Sequence, residues 1–107
     1  MSDSRLYLFA TIRPKPEFFE AARAALDELV PLTMLEPGCH VFSAFISRDE
    51  PNSLHLFECF EDEAALTRHY EKPYTIEVFK KYEGWLAAPV EVRKLSASSA
   101  ASAGQFR

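Results

Sequence analysis

Two neighbouring stretches of this chain, 39–48 and 54–60, carry apolar side chains on both sides, and this limits the possible folds more than any other feature. Side chains alternate across a strand with period two. In the first stretch Phe42, Ala44 and Ile46 therefore share one face, and Val41 and Phe45 the other. In the second, Leu54, Leu56 and Phe60 lie opposite His55, Phe57 and Cys59. Glu36-Pro37-Gly38 stops whatever precedes them, and Asp49-Glu50-Pro51-Asn52-Ser53 between them is a run of turn formers. The pair reads as a β-hairpin that must be covered on both faces.

The rest of the chain supplies one cover. Residues 5–13 alternate Leu6, Leu8, Ala10 and Ile12 with Tyr7, Phe9 and Thr11, another strand apolar on both sides. Phe18, Ala22, Ala25, Leu26 and Leu29 recur at helical spacing, which predicts an amphipathic helix over 17–35, started by Pro16 and kinked or loosened by Pro31. Asp62 is a suitable N-cap for a short helix over 63–70, with Ala65, Leu66 and His69 on one face. Pro73 opens a further helix with a stripe of Ile76, Phe79, Tyr82 and Leu86, closed or distorted at Gly84 with Trp85 at its exit. A last strand is expected over 88–95.

Strand, helix, strand, strand, helix, strand is the split β-α-β order: an α+β, ferredoxin-like domain over 1–95, with a four-stranded antiparallel sheet and its helices on one face. The other face, carrying Tyr7, Phe9, Val41, Phe45 and Phe57, would be a larger apolar patch than a soluble monomer exposes. The expected cover is a second copy of the chain, in a homodimer joined through the sheet. The Ser- and Ala-rich tail, 96–107, is too poor in apolar residues to fold alone and is read as flexible or as an arm over a neighbour.

Composition removes several classes of partner. A net charge of −4 with no basic cluster argues against nucleic acid. No apolar run is long enough for a membrane span, and Met1-Ser2-Asp3-Ser4 lacks the features of a leader, so the expected location is the cytoplasm. Cys39 and Cys59 are read as reduced, buried and on different faces. The three His and two Cys show no metal-ligand spacing, and with three Gly there is no phosphate loop.

Glu36-Pro37-Gly38-Cys39-His40, Asp49-Glu50-Pro51-Asn52, the segment from Glu58-Cys59-Phe60-Glu61-Asp62 through Leu66, and His69, Pro73 and Tyr74 occur in an order and spacing that resembles the antibiotic biosynthesis monooxygenase family. The resemblance covers residues 6–95. It implies a dimeric α/β-barrel with a small-molecule pocket between sheet and helices. It also implies oxygenation of phenols or quinols without metal, flavin or other prosthetic group. Two positions depart from the family pattern. Phe60 stands where many members have Trp, and Tyr74 where many have His. Haem degradation, known among distant relatives, would need that inward Trp.

Within this frame His69 is the candidate base, weighed against a buried imidazole tied to a carboxylate or carbonyl. Glu58, on the face of Leu56 and Phe60, is the candidate orienter of His69, weighed against a structural pair with an Arg or Tyr. Phe42, Phe60, Phe79, Tyr82, Trp85 and Tyr74 are candidate pocket walls, with Tyr74 and Tyr82 as hydrogen-bond donors to substrate; the plainer reading of each is core. His40 is assigned to the pocket rim or to an exposed strand end, and His55 to the dimer contact. The favoured expectation is a cofactor-independent monooxygenase acting on a small phenol or quinol with O₂. Its rivals are isomerisation or degradation of a small metabolite or signal by proton transfer alone, and a non-catalytic ligand-binding dimer.

Overall fold

The structure, a computed structural model, describes residues 4–99. The chain runs through β1 (Leu6–Ile12), a 3₁₀ turn (Pro16–Phe18), α1 (Phe19–Met34), β2 (Cys39–Ile46), β3 (Leu54–Phe60), α2 (Glu63–Tyr70), α3 (Pro73–Trp85) and β4 (Glu91–Leu95). The strands form one sheet in the order β2-β3-β1-β4, and every neighbouring pair is antiparallel. This is the expected ferredoxin-like arrangement.

The predicted strand phases hold. Leu6, Leu8, Ala10 and Ile12 of β1 and Leu54, Leu56 and Phe60 of β3 join Ala22, Ala25, Leu26 and Leu29 of α1 in the main core. On the opposite face Tyr7 and Cys59 are buried among Val41, Phe57 and Ala97. Cys39 therefore lies in the inner cluster and Cys59 in the outer one, and the two are not joined in a disulfide.

One irregularity resets the alternation. Cys39 pairs with Phe60 and Val41 with Cys59, so His40 is the extra residue of a bulge. A bulge leaves its extra residue unpaired and redirects the side chain. The His40 imidazole consequently sits on the surface against the Glu61 carboxylate, away from the inner face that strict alternation with Phe42 had assigned to it.

Several boundaries differ from expectation for local reasons. The first helix opens with a 3₁₀ turn at Pro16, and its α-helical part runs through Pro31. Tightened bonds from Leu35 N–H to Leu32 O and from Glu36 N–H to Thr33 O close it. The third helix passes through Gly84, and its inward stripe is the buried Thr75 and Tyr82 with the half-buried Val78 between them, leaving Ile76 exposed. β4 begins at Glu91, three residues later than predicted. Gly38 is required by contact: a Cβ there would stand 2.5 Å from the Ala65 Cβ where α2 crosses the start of β2.

The outer sheet face is only partly bare. Ala97, just beyond β4, packs on the cluster of Tyr7 and Cys59, whereas Phe9 and Phe45 are 42% and 55% exposed. The remainder of the expected tail, 100–107, lies outside the described residues. Among those described, no helix is long and apolar enough to cross a membrane.

Candidate functional site

Three elements converge on His69. Asp62 caps α2, its carboxylate accepting from Ala65 N–H at 2.9 Å, and two turns later the helix delivers His69 inward with 3% exposure. The imidazole is held among aromatic rings: Phe60 of β3 at 5.2 Å between centroids, Phe42 of β2 at 5.4 Å and Tyr70 at 5.6 Å. Its Nδ1 lies 3.1 Å from Oε2 of Glu36, a buried residue just past α1. An ionised carboxylate can only accept, so Nδ1–H donates and Nε2 is left as the basic nitrogen. The Tyr74 hydroxyl, from the first turn of α3, donates to the same Glu36 oxygen. Burial and the bond to Glu36 push the Tyr74 phenol up, so it stays a donor.

His69 lines a cavity of about 80 Å³ between the inner sheet face and α1, α2 and α3. Its walls are mostly apolar, with Leu26, Leu56, Phe42 and Val78 among them, and Tyr70 and Phe79, whose rings are 5.9 Å apart, stand partly in solvent. Two further polar groups face this space. Glu58 of β3 is 6% exposed, and burial pushes its carboxyl up from 4.5 to about 7. No described residue donates a hydrogen bond to it. Thr75 of α3 is 1% exposed, and its hydroxyl has no partner among the described residues.

The cavity brings together five of the residues singled out from sequence: His69, Glu58, Phe42, Phe79 and Tyr82. Other roles are corrected. Glu58 does not orient His69, because Glu36 occupies Nδ1. Tyr82 and Tyr74 are not free to donate to a substrate. The Tyr82 hydroxyl donates to Ala22 O at 2.8 Å, and that of Tyr74 to Glu36. Phe60 supports the His69 ring from below without lining the cavity, and Trp85 stacks on Phe18 at the far end of α3. His40 is outside the site altogether. His55 lies on the outer face, its Nδ1 3.3 Å from the Thr11 hydroxyl.

Sequence reasoning missed Glu36, Tyr70 and Thr75. Glu36 carried a signal: it ends a helix, where the macrodipole disfavours an acid, so a carboxylate there needs a partner or a purpose. Tyr70 follows His69, and Thr75 starts the stripe on α3; neither stood out from ordinary helical residues.

The sequence profile described as antibiotic biosynthesis monooxygenase matches residues 5–81. The chain belongs to this family. Membership supports a monooxygenase-like function in general terms. Rv0793 of Mycobacterium tuberculosis is 31% identical over 100 residues, a match covering 94% of this chain and 98% of that protein. Its solved structure superposes with a TM-score of 0.83 over 87% of this chain and 94% of the other. PA3566 of Pseudomonas aeruginosa has the same TM-score at 27% identity, over 90% and 96% of the two chains. The Synechocystis protein sll1783 is 30% identical over 92 residues, 86% of this chain. The match spans only 63% of that longer relative.

Proposed function

We propose that the protein oxygenates a small phenol or hydroquinone with O₂, without a prosthetic group. The observation that carries this reading is the buried Glu36–His69 pair, which leaves a basic imidazole nitrogen for an aromatic-walled cavity. A phenolate gives up electrons to O₂ far more readily than a phenol, so the protein need only remove a proton and exclude water. His69 takes the proton, Glu36 fixes its tautomer and steadies the imidazolium, and Tyr74 holds Glu36 in place. A hydroquinone and one O₂ then give a hydroxyquinone and one water, the substrate supplying all four electrons. Family membership and the name of Rv0793, a candidate monooxygenase, favour the same class of reaction.

Cavity size narrows the substrate. At about 80 Å³ it is well below the roughly 150 Å³ that holds benzene in an engineered protein cavity. A single-ring substrate therefore fits only if Tyr70 and Phe79, which stand partly in solvent at its wall, swing outward to enlarge the space. The test is oxygen consumption by the dialysed protein across a panel of single-ring phenols and hydroquinones. Turnover that disappears in His69→Ala, with the fold retained, supports the assignment, and unchanged turnover removes His69 from it.

A second reading comes from Glu58, whose carboxyl titrates near neutrality in the same cavity as His69. An acid and a base around one substrate also suit isomerisation by proton transfer, which would proceed under nitrogen. Binding of the panel without any turnover would instead leave a ligand-binding protein. For the assembly we retain the homodimer through the outer sheet face, supported by the exposed Phe9 and Phe45 beside the cluster of Tyr7. A light-scattering mass of one chain at micromolar concentration would reject it.

A further inference from the structure

Two features of the cavity have no part in the Glu36–His69–Tyr74 chain. The first is the Thr75 hydroxyl. Threonines in helices usually satisfy themselves by donating to the carbonyl four residues back, and two here do so, Thr33 to Leu29 O at 2.9 Å and Thr67 to Glu63 O at 3.1 Å. Thr75, in the first turn of α3, has no helical carbonyl four residues back, and its hydroxyl is left without a partner among the described residues although it is 1% exposed and lines the cavity. The second is Glu58, a buried carboxyl without a donor among the described residues. Buried polar groups are nearly always paired, and an unpaired one calls for an occupant of the adjoining space. Two in one small cavity call for a ligand oxygen.

We propose that Glu58 and Thr75 are specificity-determining residues that bind a second oxygen of the substrate, separate from the hydroxyl presented to His69. A hydroxyl fits this pair best, because it can donate to one member while accepting from the other; a carbonyl can accept from Thr75 or from protonated Glu58. The cavity then selects rings with two oxygen functions over rings with one, since a ligand lacking the second leaves both protein groups unpaired. This inference rests on the cavity being the substrate site for phenolic compounds.

The test is binding under nitrogen, which needs no turnover, by titration calorimetry with hydroquinone and with 4-methylphenol, similar in shape but lacking the second hydroxyl. The wild-type protein is expected to favour hydroquinone about tenfold or more. In Thr75→Val and in Glu58→Leu the preference should fall toward unity, and Thr75→Ser, which keeps the hydroxyl, should restore it. Circular dichroism checks that each variant is folded. Equal affinities in the wild type, or a preference that survives in both folded variants, overturns the inference. Failure of the wild type to bind either compound overturns it together with the phenol reading. A preference that behaves as expected without oxygen uptake in air sinks the oxygenase reading alone.

Discussion

Glu58 should make the folded protein less stable as pH rises, and the size of the effect follows from its burial. The carboxyl is raised from 4.5 to about 7 by loss of solvent, with no compensating donor among the described residues. Below the unfolded value both states hold the proton, and the group contributes no difference. Between 4.5 and about 7 the unfolded chain releases the proton while the folded protein keeps it, so stability falls as pH rises. Above about 7 the folded carboxylate is ionised and its full cost is present. At about 1.4 kcal/mol per unit, the shift corresponds to about 3 kcal/mol, a ceiling because water entering the cavity on ionisation relieves part of it. Glu58→Gln keeps the shape and removes the charge. It should match the wild type near pH 4.5 and exceed its stability by up to about 3 kcal/mol at pH 8, on the order of 10 °C in Tm for a domain of this size. Urea denaturation of both proteins from pH 4.5 to 9 gives the difference directly, since groups common to both cancel. A stability difference that is flat with pH, or a variant weaker than wild type at pH 8, would refute the argument. An acid that costs stability at neutral pH fits a residue kept for binding or catalysis.

Other parts of the site make independent predictions. Glu36→Gln should lower kcat for oxygen uptake by about 10²-fold or more by releasing the His69 tautomer, and Tyr74→Phe should lower it less, about tenfold. Gly38→Ala should destabilise the fold by about 1–3 kcal/mol in urea titrations, because the new methyl group collides with Ala65; a neutral result would mean that the crossing of α2 over β2 is looser than described. Burial and the nearby carboxylates of Glu36 and Glu58 push the Cys39 thiol up to about 12, and Cys59 is fully buried. Neither should react with iodoacetamide in the folded protein at pH 8, and mass spectrometry should find both modified after unfolding.

The order of elements and the face of nearly every strand residue were legible in the sequence, because alternation and helical spacing are local properties that burial enforces. Leu8, Ile12, Leu54 and Phe60 point inward for the same reason that they are apolar. His69 was legible too, since it shares a helical face with Ala65 and Leu66. The partners of these residues were not. Glu36 is 33 residues from His69 in the chain, and the sequence marks it as part of a helix stop and of the stretch that carries the family resemblance, with no site role. Glu58, though correctly placed on the inner face, was expected to orient His69 or to pair with an Arg or Tyr, because a buried carboxylate needs a partner or a raised pKa. The bulge at His40 broke the alternation at one residue and moved that side chain to the surface. Thr75 looked unremarkable because an unpaired hydroxyl is a property of its surroundings.

The sequence by itself therefore determined which surfaces would be hidden: periodicity requires only that the chain turn its apolar positions to one side, whatever packs there. Tertiary structure alone decided which polar groups meet. A hydrogen bond needs two atoms within about 3 Å, and the ends of α1, α2 and α3 reach that separation only once the helices are seated on the sheet. Glu36 thus falls to His69 and Tyr74, while Glu58 and Thr75 are left facing the cavity unpaired.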